Sequence, residues 1–339
     1  MPVLLKYKLI AAVTGAGCLA AIAVGADALG SQPRVPHIAP SGAEASGRTG
    51  MPIAGATAPT LAERSGSGQT PASPARRHPV KTLHPHKTQA TVQPADSKKG
   101  VSAWSFNGVG EALARSGASW YYTWSSGDPI ASPPGVRFVP MVWGARSVTT
   151  ATLTQVRNEG HYLLAFNEPD NPGQSNMTPS QALQLWPRLM ATGMSLGSPA
   201  VATDAATPGG WLDQFMRGAA ARGYRVNFIT VHWYGADFAT GPAVQQLQAY
   251  LQAIYARYHL PVWLTEFALI RFGTSASFPS PGQQAAFITA ATTMLQRLKF
   301  VQRYAWFALP ATPGDGTAGL FDSGAVATAA GRAFEAVHS

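Results

Sequence analysis

The sequence predicts an α/β protein, a (β/α)8 TIM barrel preceded by a disordered Pro/Ala/Ser-rich N-terminal linker. Three observations point there. From about residue 98, apolar strand-like runs alternate with helix-like runs eight times. Most of these runs are almost continuously apolar, as parallel strands covered on both faces are. All nine tryptophans lie in this part, whose length suits one barrel.

The first strand is expected at Gly100–Trp104, with a short helix at Gly108–Arg115. Trp120–Trp124 reads as the second strand, followed by a Pro/Gly connection with no clear helix. Arg137–Trp143 is the third, with a helix from Thr150 to Asn158, and Tyr162–Asn167 is the fourth. Thr178 then offers an N-cap and Pro179 a first helical residue, opening a helix to about Ala191. Ser195–Ala200 is the fifth strand, with a helix over Gly210–Arg222. Val226–Trp233 is the sixth, with a helix over Pro242–Tyr258, and Val262–Phe267 the seventh, with one over Pro281–Leu298. Arg303–Ala308 is the eighth, and Ala325–Val337 closes as a helix. An open doubly wound sheet would usually show a Gly-rich first turn, and Gly108-Val-Gly110 lacks its third glycine.

Residues 1–30 read as an export signal: Lys6 and Lys8, an apolar Leu9–Val24, then Gly25-Ala-Asp-Ala28 as a small-x-small cleavage site. The run is near the shorter limit for a membrane span, so an uncleaved anchor is the alternative. Residues 31–97 lack aromatics and any sustained period, and are expected to be an extended spacer. His78, His84 and His86 are read as linker composition rather than metal ligands. The barrel, 98–339, is expected outside the cytoplasm, secreted or tethered to the cell surface.

The net charge of +9 is uneven. The first 99 residues carry eleven Lys/Arg against four Asp/Glu, and the rest fourteen against twelve. The barrel is thus near neutral, which argues against a nucleic-acid-binding core. The basic tail is expected to be solvated, with contact to an anionic membrane or wall as the alternative. The single cysteine, Cys18, excludes an intramolecular disulfide and Cys-based metal sites. No cofactor is expected, and nothing demands more than a monomer.

Two glutamates end two apolar runs, Tyr162-Leu-Leu-Ala-Phe-Asn-Glu168 and Val262-Trp-Leu-Thr-Glu266. A carboxylate there is costly unless paired, solvated or used. In such a barrel both would lie on the C-terminal rim, facing each other across the mouth. Glycosidic hydrolysis needs such a pair, one acid and one nucleophile or base. A separation of about 5–5.5 Å would mean retention of configuration, and about 6.5–9.5 Å inversion. Trp124, Trp143, Trp233, Tyr234 and Trp306 also fall near strand ends, where aromatic faces suit sugar rings. His232 has no second His or carboxylate at ligand spacing, so it reads as a polar neighbour of the glutamates, and no metal is expected. Asn176-Met-Thr178 matches a glycosylation sequon and reads as chance.

These segments resemble glycoside hydrolase family 128, the endo-β-1,3-glucanases of the retaining clan A barrels. The resemblance rests on an ordered set: Phe138-Val-Pro-Met-Val-Trp-Gly144, Leu164-Ala-Phe-Asn-Glu-Pro-Asp170, Gly197-Ser-Pro-Ala200, Gly210-Trp-Leu-Asp-Gln-Phe215, His232-Trp-Tyr-Gly235, Trp263-Leu-Thr-Glu-Phe-Ala268 and Tyr304-Ala-Trp-Phe307. It implies that Glu168 is the general acid/base and Glu266 the nucleophile. It also implies that Asn167 bonds the sugar 2-hydroxyl, that Tyr234 or His232 orients Glu266, and that Trp143, Trp233 and Trp306 form sugar platforms on a β-glucan. The second strand departs from the pattern, with Thr123 where the family would carry Asn. Two other readings stay open: the same barrel acting on another β-linked polysaccharide, and a non-catalytic carbohydrate-binding protein.

Overall fold

The computed structural model describes residues 97–311 and 316–337. The expected export signal, and the expected linker up to residue 96, lie outside the described residues. Ser97, read as linker, belongs to the barrel: its carbonyl accepts from Ser119 Oγ at 2.7 Å and its hydroxyl from Lys99 N at 3.2 Å.

Eight parallel strand positions close into a barrel. The strands are β1 (Lys99–Ser102), β2 (Trp120–Tyr122), β3 (Arg137–Phe138), β4 (Met141–Val142), β5 (Tyr162–Asn167), β6 (Ser195–Ala200), β7 (Ile229–Gly235), β8 (Val262–Leu269) and β9 (Val301–Trp306). One sheet runs β3-β2-β1-β9-β8-β7 and another β4-β5-β6. Bridges Gly197–Phe228 and Val201–Val231 join β6 to β7. The third strand is one run in two pieces, because Pro140 has no N–H to donate. Val139 N donates to Tyr121 O at 2.9 Å, and Pro140 O accepts from Leu164 N at 3.0 Å, so the chain changes neighbour at the proline. The fourth and seventh barrel strands of the sequence reading are therefore β5 and β8.

Helices over Val109–Ser116, Thr150–Glu159, Pro179–Met190, Trp211–Ala221, Thr240–Tyr258, Pro281–Arg297 and Ala329–Glu335 follow the strands. Capping boxes at Thr178/Gln181 and Ser280/Gln283 start two of them, each with proline first, satisfying otherwise orphaned N–H groups. The last helix is shorter than expected: Phe321–Asp322 and Val326–Ala327 form an antiparallel hairpin, and Thr328 caps the helix only beyond it.

Two lysines tie the helix ends to the barrel base. Lys98 Nζ donates to the carbonyls of Leu295, Gln296 and Leu298 at 3.1, 3.0 and 2.9 Å. Lys99 Nζ donates to Phe334 O at 2.6 Å and Val337 O at 2.9 Å. Both place a cation at the negative end of a helix. The base itself is aromatic: the Arg303 guanidinium lies 4.5, 4.8 and 5.6 Å from the ring centroids of Trp263, Tyr162 and Trp120. This filled base is at the N-terminal ends of the strands, and Glu168 and Glu266 lie toward the C-terminal ends of β5 and β8.

Candidate active site

Glu168 follows the last residue of β5. Its N–H donates to Ala200 O at 2.8 Å, and its φ of 40° lies in the left-handed region, as does Phe166 at 49°. A non-glycine residue costs energy there, so the surrounding bonds must hold it. Glu266 lies within β8, and the pairing register with β7 shifts between Val231 and His232. In β7, His232 and Tyr234 turn toward the glutamates, while Trp233 between them points outward, as strand alternation requires.

The two carboxyls have different surroundings. Glu266 Oε1 accepts from Tyr122 OH and Trp124 Nε1, each at 2.9 Å, and Oε2 accepts from Tyr234 OH. Glu168 Oε1 faces His232 Nδ1 at 2.9 Å, and Oε2 accepts from Asn171 Nδ2 at 3.0 Å. His232 Nε2 lies 3.5 Å from Glu266 Oε1 and makes no hydrogen bond. One carboxylate oxygen of each glutamate and a His232 nitrogen lie within 4.8 Å of one another, and all three residues are buried. Those nearest oxygens approach more closely than the about 6.5–9.5 Å that separates the carboxyls of an inverting pair, which fits the retaining geometry better.

Burial raises the pKa of Glu266, and the nearby Glu168 adds to the rise; His232 and the Tyr234 and Trp124 donors oppose it. Burial alone would lower that of His232, but the charge of Glu266, then the hydrogen bond and charge of Glu168, leave it raised. Burial, then the charge of Glu266, holds Tyr122 well above the usual tyrosine value, so it stays a donor.

Asn167 is buried beside Glu168. Its backbone N–H donates to Trp143 O at 2.8 Å, and Nδ2 donates to Gln174 Oε1 at 3.1 Å. Its Oδ1 is buried with no partner, an acceptor available to a hydroxyl.

Several expectations change. Trp306 is fully buried, donates to Ala318 O at 2.7 Å and packs edge-on against Phe267 at 5.0 Å, so it is core and not a platform. Trp233 stacks on Phe287 of the Pro281–Arg297 helix at 5.8 Å, outside the mouth. Trp124 is buried, and its indole serves Glu266 through its N–H rather than offering a sugar its face. Trp143 remains half-buried at the rim. Tyr234 contacts Glu266, whereas the hydrogen bond of His232 goes to Glu168. Spacing gave His232 no carboxylate neighbour, yet the fold brings two, and the three could together ligate a cation. Their oxygens accept from Tyr122, Trp124, Tyr234 and Asn171.

Tyr122, Asn171 and Gln174 were not singled out by sequence reasoning. The Asp-Asn-Pro-Gly turn signal after Glu168 could have drawn attention to Asn171. Tyr122 carried no signal, because its contact arises from barrel closure.

A closed barrel with two unequal carboxylates facing each other at its C-terminal rim defines a glycosidase. A family model of the glycosyl hydrolase catalytic core matches residues 101–334. The chain belongs to glycoside hydrolase family 128. A family 128 (subgroup I) endo-beta-1,3-glucanase from Amycolatopsis mediterranei, crystallised with laminaritriose, is 54% identical. The match covers 70% of this chain and 98% of that one, with a TM-score of 0.68. A subgroup II endo-beta-1,3-glucanase from Sorangium cellulosum is 28% identical over 72% of this chain and 99% of that one, with a TM-score of 0.60. Alkali-sensitive linkage protein 1 of Schizosaccharomyces pombe is 34% identical over 212 residues, 60% of this chain. The chain spans only 37% of that protein's length.

Proposed function

We propose that this protein is an endo-β-1,3-glucanase that cleaves β-1,3-glucan with retention of configuration, Glu266 acting as nucleophile and Glu168 as general acid/base. The observation that carries the roles is the unequal surroundings of two carboxylates within 4.8 Å. Three donors surround Glu266, which suits a group that must stay ionised. Glu168 has only the 2.9 Å contact with His232 Nδ1 and the Asn171 amide on its oxygens, and the fewer donors suit the group that must exchange a proton. In support of the substrate, the Amycolatopsis relative was crystallised with laminari-oligosaccharides, in several cases after replacement of one or other of two of its glutamates.

Glu266 attacks the anomeric carbon while Glu168 passes its proton to the leaving glycosidic oxygen. The C–O bond breaks and a glycosyl ester forms on Glu266. Glu168, now a carboxylate, takes a proton from water as that water attacks the same carbon and releases Glu266. Asn167 Oδ1 accepts from the 2-hydroxyl of the reacting sugar, a bond that strengthens in the transition state. Trp143 is half-buried and its carbonyl accepts from Asn167 N, which supports a stacking role for its ring beside the reacting sugar.

Glu168→Ala and Glu266→Ala each abolish oligosaccharide release from linear β-1,3-glucan in this reading, measured as new reducing ends. Undiminished release by either variant overturns it. A panel of other β-linked polysaccharides tests the linkage. The basic start and apolar run within residues 1–30 support export, with 31–97 as spacer. N-terminal sequencing of protein recovered outside the cell tests that part.

A further inference from the structure

The connection after β5 carries two amides, and each grips one of the adjacent residues Asn167 and Glu168. Gln174 Oε1 accepts from Asn167 Nδ2 at 3.1 Å, and Asn171 Nδ2 donates to Glu168 Oε2 at 3.0 Å. Asn171 is itself locked. Its Oδ1 accepts from Gly173 N at 2.9 Å, and its backbone N–H donates to Glu168 O at 3.0 Å. Its carbonyl accepts from Gln174 N at 3.0 Å. Because Oδ1 is committed to an N–H, the amide orientation is fixed by its neighbours, and Nδ2 must face the carboxyl.

Glu168 needs such a hold. Its backbone is left-handed at φ 40°, just beyond the end of β5, and its side chain has His232 on Oε1 alone. One contact leaves the carboxyl free to swing about it; a second, on the other oxygen, fixes its plane. An amide N–H donates to a carboxylate oxygen and cannot accept there. The bond is therefore strongest when Glu168 is ionised, the state in which it acts as base on the incoming water.

We propose that Asn171 is a positioning residue for Glu168, holding Oε2 so that the carboxyl plane stays aimed at the glycosidic oxygen and then at the attacking water. The inference rests on Glu168 being the acid/base. Asn171 touches no substrate in this scheme and acts only through Glu168.

The test compares Asn171→Ala and Asn171→Asp with Glu168→Ala and the wild-type enzyme on two substrates. One is linear β-1,3-glucan, whose leaving group needs a proton. The other is a dinitrophenyl β-laminaribioside, whose leaving group does not. Asn171→Asp keeps an acceptor for Gly173 N and so preserves the turn. In both Asn171 variants kcat/KM on the glucan falls by about thirtyfold, while on the aryl substrate it stays within about threefold of wild type. On the aryl substrate kcat and KM fall together in both, because the glycosyl ester accumulates; azide, which takes the place of a missing carboxylate, restores kcat with formation of a glycosyl azide only in Glu168→Ala. A merely structural role lowers kcat/KM on both substrates equally and leaves KM on the aryl substrate unlowered; that result in both variants overturns the proposal, as does wild-type activity on the glucan. If Glu168→Ala itself lacks the leaving-group dependence, the acid/base reading fails instead, so the two failures are distinguishable.

Discussion

The indole nitrogen of Trp124 lies 2.9 Å from Glu266 Oε1, joining the end of the second barrel strand to the seventh across 142 residues of sequence. The bond turns a bulky ring at the rim into a donor for the carboxylate proposed as nucleophile. It shares that oxygen with Tyr122 OH, so two neutral donors meet one charge in a buried place. Hydrogen bonds to a charged group are worth more than those between neutral partners.

As the proposed nucleophile Glu266 must be ionised, and burial raises its pKa while the Trp124 N–H opposes the rise. Removing the donor in Trp124→Phe raises it further, so activity is lost at a higher pH as the solution is acidified. The acid limb of kcat/KM moves to higher pH, and kcat at neutral pH falls about tenfold. A pH–rate profile checks this; an unmoved acid limb contradicts it.

Trp306 and Trp143 should separate stability from binding. Trp306 is packed against Phe267 and Phe287 and bonded to Ala318 O. Trp306→Leu therefore costs about 3 kcal/mol of stability, read as a lower melting temperature, with KM for surviving enzyme changed little. Trp143→Ala, at a half-buried rim position, raises KM about tenfold with a small effect on melting. The reverse pattern removes Trp143 as a platform.

Lys99 gives the fold a signature in alkali. Burial lowers its pKa to about 8, with the charge of Glu335 opposing the fall. In the unfolded chain a lysine titrates near about 10.4. Between those values the unfolded chain holds a proton that the folded one has released, so this residue's contribution to stability rises with pH across that window. Lys99→Met loses two bonds to helix-end carbonyls and also loses this pH dependence. Denaturant unfolding of both proteins at pH 7.5 and pH 10 should show the gap between them widening with pH.

Much of the barrel was legible because its strands are apolar runs with turn residues between them. Tyr162–Asn167 and Ser195–Ala200 have the bounds that the pattern gives. The third strand was read as one, and Pro140 in its middle was the signal that it would change neighbours. Glu168 and Glu266 stood out because charge is rare in such runs. Their partners did not: Tyr122 and Trp124 reach Glu266 only once the strands close into a ring, and no local pattern encodes that meeting. Trp233 could have been excluded by parity, since a residue between His232 and Tyr234 must face away from them. Trp306 could not, because its position near a strand end does not say whether the loop beyond covers it.

The central claim is that Glu266 forms a covalent bond to the sugar and water then cleaves it, two inversions at one carbon. The most direct test is to follow hydrolysis of a linear β-1,3-glucan oligosaccharide by proton NMR from the first minutes. The β-anomer of the new reducing end should appear first, with the α-anomer growing in only by mutarotation. The α-anomer as the first product would contradict the account.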